Sequence, residues 1–438
     1  MVTVSFRLKS WLPVIIVVVL LVLQIFSPAP PIMFVLIAIC GVLGLSYLWA
    51  RQMAGNILLQ RQRRYGWAQV GDIVEERFTM HNDSWLPVLW AELRDYSDLP
   101  GYNASRAVGF ASMSSTRWTT EGVCQRRGTY TLGPVDMFLG DPFGLFEVKL
   151  QHKYSEQFVV YPPIVSLPPL IELRGLARGT ARTNIRSLHL TTNASSVRQY
   201  VPGDALNRIH WRTTARRSAE DREEIFVKEY DLEPSGDLWL ILDMEARVNV
   251  GQIPESTEEY AVILAAGLAN QMLRENHAVG LITHTKEPVI IRPRKGQQQL
   301  WELLRVLAGV HAESQVPLSQ VLEEVQTIVG RGMTAALITP STDPSWIKGL
   351  SALLQHAVHP LGLLLDAHSF GGDGDVQAMK SALADLGVPS HVIGKGFKFQ
   401  EITQRRQQRP QFKVLGTGRV VMVSPGDQEK SEWVSVGQ

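Results

Sequence analysis

Cysteine and net charge are both scarce in this chain of 438 residues. Its two cysteines, Cys40 and Cys124, cannot build the disulfide framework that holds many small secreted domains together. The 43 Lys and Arg residues are balanced by 42 Asp and Glu residues, which leaves a formal net charge of +1. A global attraction to nucleic acid is therefore excluded, and any electrostatic function has to come from a local patch.

Motifs for phosphate binding and catalysis are missing as well. No Gly-Lys-Ser or Gly-Lys-Thr loop occurs in the chain, which excludes a P-loop ATPase. His210 has no serine, cysteine or carboxylate partner at a readable spacing, and we expect it to be packed rather than catalytic. The run GGDGD at 371–375 lacks the full spacing of an EF-hand loop, so we interpret it as a solvated turn.

Two apolar runs lie near the beginning of the chain, at residues 11–26 and 32–50. The second is close to the ~20 residues that a membrane-spanning helix needs, and the first is slightly shorter. The linker SPAPP at 27–31 is expected to be non-helical and to turn the chain back. The two apolar runs and this linker together predict a two-helix transmembrane hairpin over 11–50. A cleaved signal peptide is the alternative, but the second run would still anchor the chain.

The flanking residues predict the orientation of this hairpin. Trp11, Tyr47 and Trp49 suit the interfacial belts of a membrane protein. The linker is uncharged, whereas basic residues lie beyond both outer ends, namely Arg7, Lys9, Arg51, Arg61, Arg63 and Arg64. Since Lys and Arg accumulate on the cytoplasmic side, residues 1–10 and the soluble domains are predicted to be cytoplasmic. A multi-pass protein of the inner (plasma) membrane is expected.

Residues 65–162 contain short apolar runs bounded by turn residues. Strands are predicted at 73–80, 88–95, 115–124, 128–133 and 157–161. Several short strands separated by turns indicate a β-sandwich domain, which we interpret as a spacer or docking module. Its tryptophans are expected to pack in the core or at an edge rather than to form a ligand cage: Trp67, Trp85, Trp90 and Trp118.

An arginine-rich connector is predicted at 163–234. Between residues 174 and 217 it has nine arginines and a single acid, Asp204. The Pro-Gly pair at 202–203 makes a turn, and Asp204 is a good N-cap for a helix predicted at 205–216. The local charge is sufficient to hold an anionic partner surface or a phosphate.

Arginines recur at steps of four along the predicted helix, at Arg208, Arg212 and Arg216, and form a stripe on one face. Leu206 and Ile209 lie on another face and are expected to pack inward. The stripe is interpreted either as an anion- or partner-binding surface or as an internal network that ties the connector to carboxylates of the flanking domains.

Residues 235–424 are predicted to form a second domain, followed by a frayed polar tail at 425–438. Strands are predicted at 238–243, 278–283, 288–292, 334–339, 360–365 and 388–393. Helices are predicted at 257–276, 297–308, 318–329, 344–355 and 376–386. Apolar strands that alternate with helices indicate an α/β, Rossmann-type domain with an open, mostly parallel sheet. Its ligands would bind beyond the carboxyl ends of the strands, where the candidates are Asp243, Thr283, Thr339 and Asp366.

The run YVPGDALNRIHWRTTARR at 200–217 resembles the signature of the bacterial domain of unknown function 58 family. GTYTLGP at 128–134, DPFGLF at 141–146 and VKEY at 227–230 fit the same family, as do the paired apolar runs. The resemblance covers nearly the whole chain and implies a membrane-anchored protein with a von Willebrand factor A-like C-terminal domain. We interpret the motif residues as partner-binding or structural: Tyr200, Pro202, Gly203, Asp204, Arg208, His210, Trp211, Arg212 and Arg216.

A von Willebrand factor A-like fold would place a metal-ion-dependent adhesion site after its first strand, with the pattern Asp-x-Ser-x-Ser. Small hydroxyls suit Mg²⁺ there, because this ion demands tight octahedral coordination by oxygen. This chain has Asp243, Glu245 and Arg247 at the three positions. A longer acid and a cation stand where hydroxyls belong, so we predict a degenerate site without metal, and no cofactor.

The leading hypothesis is a non-catalytic interaction or scaffold protein held at the lipid bilayer. In the family that the motif resembles, the usual associate is a MoxR-type AAA+ ATPase, often with a transglutaminase-like membrane protein. We therefore expect a MoxR-type ATPase as the partner, in assembly or maturation of membrane or envelope proteins.

Two alternatives stay open at this point. One is a hydrolytic or metal-dependent enzyme that uses His210 or the pair Asp243 and Glu245. The other is binding of an anion or nucleic acid by the connector, although no specific nucleic acid is expected because the connector lacks a recognised nucleic-acid fold.

Overall fold

The computed structural model describes residues 2–167, 194–201, 209–218, 225–230, 237–401, 411–414, 420–423 and 434–436. The chain divides into two compact units. The first comprises Met1–Pro163 with Gln404–Gln438, and the second comprises Ile164–Thr403. The boundary after Pro163 lies next to the one predicted after 162, whereas the second unit ends at Thr403 rather than at 424.

The beginning of the first unit forms one strand and two apolar helices. Strand β1 spans Val2–Leu8, helix α1 Leu12–Phe26 and helix α2 Pro30–Asn56. Helix α2 begins inside the linker that was expected to be non-helical, because proline fits the first turn of a helix, where its missing N–H is not needed. It also continues beyond residue 50, since its last turns bury Ala50 and Met53 in the core of the first unit.

Further strands of the first unit follow in the chain: β2 (Ile57–Arg63), β3 (Trp67–Gln69), β4 (Ile73–Asn82), β5 (Val88–Asp95), β6 (Arg106–Phe110), β7 (Ser114–Val123), β8 (Gly128–Leu132), β9 (Val135–Gly140), β10 (Phe146–His152) and β11 (Glu156–Tyr161). An antiparallel sheet has the order β1-β10-β9-β5-β6, a second contains β2-β4-β7, and a third has the order β3-β11-β8. Phe78 and Met137, from the second and the first sheet, belong to one buried core. The β-rich class predicted for 65–162 is confirmed.

Strand β1 is an edge strand of the first sheet. It pairs antiparallel with β10 along its whole length, from Val2 opposite His152 to Leu8 opposite Phe146. Residues 1–10, predicted as a separate N-terminal stretch, therefore include part of the first unit's sheet. Strand β1, which precedes helices α1 and α2, and strand β10, which follows them later in the chain, therefore belong to the same sheet.

The arginines that follow α2 are engaged inside the first unit. Ion pairs join Arg61 to Glu76 at 2.6 Å, Arg63 to Glu156 at 2.6 Å and Arg64 to Glu75 at 3.0 Å. Strand β2 carries these arginines away from the end of α2 and into the sheet. They do not form the juxtamembrane group that the orientation rule assumed, whereas Arg7, Lys9 and Arg51 are exposed.

The tryptophans of the first unit divide into two groups. Trp118 is buried and stacks on Phe78 with ring centroids 5.5 Å apart, as expected of a core residue. Trp49, expected in an interfacial belt, is partly buried and packs against the same core. Trp85 and Trp90 are 70% and 40% exposed, so neither lies in the core, although the Trp90 ring approaches Gly140 at the end of β9.

The second unit contains the remaining helices and most of the remaining strands: β12 (Val165–Ser166), β13 (Ala194–Gln199), α3 (Trp211–Ser218), β14 (Phe226–Tyr230), β15 (Leu238–Leu242), β16 (Gly251–Gln252), β17 (Glu255–Ser256), α4 (Thr257–Arg274), β18 (Val279–His284), β19 (Pro288–Arg294), α5 (Gln297–Gly309), α6 (Leu318–Ile328), β20 (Thr334–Thr339), α7 (Ser345–Gln355), β21 (His359–Leu365), α8 (Val376–Asp385), β22 (Ser390–Ile393) and β23 (Gln400–Glu401). Its main sheet has the order β19-β18-β15-β20-β21-β22. Only β19 runs antiparallel to its neighbour. The predicted α/β class with an open, mostly parallel sheet is confirmed.

Strand β15 is central to this sheet and reads LWLIL, with all five residues buried. Such a strand needs cover on both faces, as is usual in parallel sheets. Helix α4 lies against β15 and β20. Trp239 and Ile241 of β15 pack in a core with residues of α6, α7 and α8, including the buried Trp346. The carboxyl ends of β15 and β20 are thereby fixed side by side.

Short strands near the C-terminus belong to the first unit: β24 (Gln411–Val414), β25 (Val420–Val423) and β26 (Val434–Val436). β26 pairs antiparallel with Arg61–Arg63 of β2. The tail predicted to be frayed at 425–438 therefore contributes a strand, because the edge of β2 offers backbone partners to a valine-rich segment.

Candidate functional site

Strands β13 and β14, which lie on either side of the family-like motif in the chain, pair antiparallel. Ile209 forms a bridge with Val227 of β14, and both side chains are buried. The backbone N–H of His210 donates to Phe226 O at 2.8 Å, and that of Tyr200 donates to Ile225 O at 2.8 Å. The residues just before α3 are thus held against β14 by backbone pairing.

Helix α3 begins at Trp211, so the helix predicted from residue 205 is too long at its start. Ile209 and His210 cannot be helical while they pair with β14, and this contact between distant residues overrides the local helix signal. His210 caps the helix in place of the expected Asp204, because its Nδ1 accepts a hydrogen bond from Thr213 N at 3.1 Å. Pro202, Gly203, Asp204 and Arg208 lie outside the described residues.

The outer face of α3 is aromatic and basic. The side chain of Trp211 is 69% exposed. Arg212 and Arg216 are exposed as well. In the part of the chain that the structure describes, neither arginine forms an ion pair. These two residues of the predicted stripe therefore face solvent and are not part of an internal network among the described residues.

A second group of candidate residues lies where β15 and β20 end. Asp243 follows β15, and Thr339 is the last residue of β20. The hydroxyl of Thr339 donates to Asp243 Oδ2 at 2.6 Å, and Glu245 N donates to Asp243 Oδ1 at 3.1 Å. Thr339 Oγ1 also accepts from Ser341 N at 2.9 Å. Both carboxylate oxygens are thus bound within the protein.

Asp243 is only 3% exposed, and the two groups that bind its carboxylate oxygens are uncharged. Burial raises the pKa of Asp243 to about 6, and the hydrogen bonds from Thr339 and Glu245 limit the increase. Burial also raises the pKa of Glu245, an effect that nearby Arg247 opposes and Asp343 reinforces. The edge is therefore a weakly acidic pair of carboxyl groups with a charged Arg247 at the surface.

The loop after Asp243 is closed by residues that the sequence did not single out. Asn249 Nδ2 donates to Asp243 O at 3.1 Å and to Glu245 O at 3.0 Å. The hydroxyl of Thr257 donates to Asn249 Oδ1 at 3.0 Å. An asparagine six residues after an aspartate belongs to no motif that can be recognised in a sequence. The role of Asn249, which is to hold the backbone of Asp243 and Glu245, is therefore visible only in the folded loop.

The other strand-end candidates take part in structural contacts. Thr283 Oγ1 donates to Leu242 O at 3.2 Å, which ties β18 to β15. Asp366 follows β21, and its N–H donates to Ile393 O at 2.9 Å. In the GGDGD run, Asp375 caps α8 by accepting from Gln377 N and Ala378 N. The structure therefore brings Asp243, Thr339 and Glu245 together and leaves Asp366 at a neighbouring strand end.

Among the described residues, no three His, Cys, Asp or Glu side chains are grouped as metal ligands. At the positions of an adhesion-site loop, Asp243 is enclosed by hydrogen bonds and Arg247 is exposed with a positive charge. Both Asp243 oxygens already accept hydrogen bonds, from Glu245 N and from the Thr339 hydroxyl, so neither is directed at a metal position. A site without metal remains our prediction.

These features define a class of protein. It has a six-stranded α/β domain with a hydrogen-bonded carboxyl group at its strand ends, and a helix with a basic outer face precedes that domain. Residues 196–362 match the family described as "Protein of unknown function DUF58". This match confirms the resemblance predicted from the motif, over residues 196–362 and not over nearly the whole chain as expected. The uncharacterised protein YeaD of Bacillus subtilis is 27% identical over 198 residues, or 45% of this chain and 46% of YeaD. The chain thus matches about half the length of this relative.

Several solved structures resemble parts of the chain. The conserved hypothetical protein BatB of Bacteroides thetaiotaomicron is 11% identical, with 37% of this chain and 91% of that chain covered and a TM-score of 0.27. A von Willebrand factor type A protein of Catenulispora acidiphila is 10% identical, with 36% and 39% covered and a TM-score of 0.26. The CARDB domain of a Pyrococcus furiosus protein is 10% identical, with 24% and 92% covered and a TM-score of 0.18.

Proposed function

We propose that this protein is a membrane-anchored, non-catalytic scaffold that binds a MoxR-type AAA+ ATPase through helix α3. The observation that carries this proposal is the solvent-facing set Trp211, Arg212 and Arg216 on a helix whose start is fixed by backbone pairing and a histidine cap. Exposed tryptophan and arginine are the residues most often found at the energetic centre of protein interfaces. Such a partnership would serve assembly or maturation of membrane or envelope proteins, with a transglutaminase-like membrane protein as a further associate.

The polar groups considered for catalysis have structural tasks that support a non-catalytic role. Nδ1 of His210 accepts from the N–H of Thr213, which leaves this nitrogen unavailable as a general base. Asp243 is buried, and both of its oxygens accept hydrogen bonds from the protein. The hydroxyl beside Asp243, that of Thr339, is itself engaged, because it donates to the carboxylate and accepts from Ser341 N.

Changing Arg212 and Arg216 together to alanine is expected to weaken binding of the ATPase by about 10- to 30-fold. Two exposed charge contacts of up to ~1 kcal/mol each correspond to a loss of this size. The His210 cap and the Thr214 contact stay in place, so α3 should persist. The dissociation constant is measured with the full chain in lipid nanodiscs and a purified MoxR-type ATPase from the same organism.

The matched control changes Arg274 and Arg305 to alanine, which removes the same charge from exposed positions on α4 and α5. This control should bind the ATPase like the unmodified protein. Equal binding by the Arg212 and Arg216 variant would show that α3 is not the docking helix. Equal losses in both double variants would point to a general charge effect instead of a specific surface.

The proposed anchor is the pair of apolar helices. Helix α2 is long and apolar enough to cross a membrane, and the shorter helix α1 is also apolar. Their side chains are largely exposed, for example Ile15 at 60% and Phe34 at 74%. Because β1 and β10 belong to one sheet, the chain before α1 and the chain after α2 meet on one side of the bilayer, as a hairpin requires. Removal of α1 as a signal peptide would also remove the edge strand β1.

We expect the proline-rich turn outside the cell and both soluble units in the cytoplasm, as the exposed Arg7, Lys9 and Arg51 favour. In a Cys40→Ala background, a Ser27→Cys variant should react with an impermeant thiol reagent on intact cells. A Gln298→Cys variant should react only after permeabilisation. Cys124 can stay, because it is fully buried and burial raises the pKa of its thiol to about 12. Labelling of Gln298→Cys on intact cells would contradict this orientation.

A further inference from the structure

Apolar and aromatic side chains are exposed at one end of the first unit's sheets. Met113 is 73% exposed, Trp85 70%, Leu89 57% and Phe143 49%, with Trp90 beside them at 40%. Soluble surfaces seldom gather large apolar side chains in this way unless they bind a partner or a membrane. We call these five residues the apolar rim.

One part of the rim lies where helix α2 enters its sheet. Ile57, the first residue of β2, pairs with Asn82, the last residue of β4. The loop after β4 stays at this end, since Asp83 N donates to Asn56 O at 2.9 Å. Met113 N donates to Ser84 O at 3.0 Å, which places Met113 beside the loop that carries Trp85.

The other part of the rim lies where β1 leads to helix α1. Leu8, the last residue of β1, pairs with Phe146, the first residue of β10. The preceding loop contains Phe143 and Leu145, which line an apolar cavity together with Ile16 of α1 and Val42 of α2. The Trp90 ring approaches Gly140 at the end of β9, where a Cβ would meet it at 3.3 Å.

Both sheets therefore present apolar side chains at the end from which the two membrane helices leave. The helices fix this end at the bilayer, and Phe143 with Leu145 shares an apolar cavity with them. Tryptophan prefers the headgroup level of a membrane, where its ring is apolar and its N–H finds water. Lys9 before α1 and Arg51 near the end of α2 are exposed and suit anionic headgroups, although Asp83 is exposed there too.

We propose that the apolar rim inserts into the headgroup layer of the bilayer and fixes the orientation of the first unit on the membrane surface. This inference rests on the proposed membrane anchor, and it adds a second membrane contact that the spanning helices do not supply. The first unit then has a fixed orientation relative to the bilayer, which a flexible attachment would not provide.

Single cysteines carrying a fluorophore test the proposal in vesicles that contain lipids brominated near the headgroup. In a Cys40→Ala background, Trp85→Cys and Met113→Cys should be quenched. Ile73→Cys is the matched control, because Ile73 is an apolar, 57% exposed residue at the opposite end of β4. It lies roughly 30 Å from Asn82, nine strand steps away, and should keep its fluorescence.

Native Cys40, exposed on α2 near the middle of the apolar run, supplies the reference for lipid contact in a second set of vesicles whose lipids are brominated in the middle of the acyl chains. If Cys40 is quenched while Trp85→Cys and Met113→Cys behave like Ile73→Cys, the rim does not insert and this inference is overturned. If Cys40 itself is not quenched, the membrane anchor fails and the inference fails with it. Far-UV circular dichroism confirms that each variant is folded, which these exposed positions should allow.

Discussion

Replacing Glu76 by alanine is expected to lower the free energy of unfolding of the first unit by about 3–5 kcal/mol, the usual cost of removing one partner of a buried ion pair. Glu76 is fully buried, and its Oε2 accepts from Arg61 Nε at 2.9 Å and from Arg61 Nη2 at 2.6 Å. The hydroxyl of Tyr102 donates to the same oxygen. Burial and the charge of Glu76 raise the pKa of Tyr102, which keeps this hydroxyl protonated as a donor.

In the Glu76→Ala variant, the guanidinium of Arg61 and the hydroxyl of Tyr102 lose their common acceptor. Arg61 is only 7% exposed, so water replaces the carboxylate poorly. The measurement is hydrogen exchange of the β2 and β4 backbone amides as a function of urea concentration. Glu75→Ala is the control, since Glu75 is the preceding residue in β4 and its ion pair with Arg64 is partly exposed. It should cost less than about 1 kcal/mol.

Changing both partners, Arg61→Met with Glu76→Leu, should recover most of the lost stability, because no uncompensated charge is left in the core. If Glu76→Ala is no more destabilising than Glu75→Ala, the pair is more hydrated than its burial indicates. The network would then contribute little to the stability of the first unit.

Replacing Asp243 by asparagine is expected to stabilise the second unit at pH 8 by about 1–3 kcal/mol and to change its stability little at pH 4. The pKa of Asp243 is about 6 in the folded chain, compared with about 3.9 in an unfolded one. Between these values the folded state binds more protons, so the free energy of unfolding falls as the pH rises from about 4 to about 6. Asparagine cannot ionise and removes this fall.

The hydrogen bonds around Asp243 decide how small the stabilisation by Asp243→Asn at pH 8 can be. Asparagine can still accept from Glu245 N, but its amide would have to donate to Thr339 Oγ1, which now donates to the carboxylate. Urea-dependent hydrogen exchange of the Leu238–Leu242 amides at several pH values measures the effect. Asp343→Asn is the control, because hydrogen bonds from Ser345 lower the pKa of Asp343 and reverse the sign of the pH dependence. A pH-independent difference for Asp243→Asn would contradict the proton linkage.

The elements that the sequence predicted best are those whose burial follows from a local pattern of apolar residues. The all-apolar run of β15 and the alternation of strands and helices after it identified the α/β sheet, and Asp243 was correctly placed at its edge. Strand β2 was missed because it reads ILLQRQR. Its arginines Arg61 and Arg63 can be buried because they form ion pairs with Glu76 and Glu156, which come from other parts of the chain.

Prediction of the candidate site was limited in the same way, by contacts between residues that are far apart in the chain. Thr339 and Asp243 are 96 positions apart, and only the sheet order brings them together. The start of α3 depends on the bridge between Ile209 and Val227, which no local helix signal contains. Trp85 and Trp90 were expected in the core or at an edge, but their 70% and 40% exposure depends on how the loops and strands are placed in the folded unit.

The pairing of β1 with β10 has a consequence for biosynthesis. The ribosome delivers β1 before either apolar helix, whereas its partner β10 follows only after β9. Until β10 has been made, β1 has no partner in the first sheet. That sheet can therefore close only after both apolar helices and most of its strands have been synthesised.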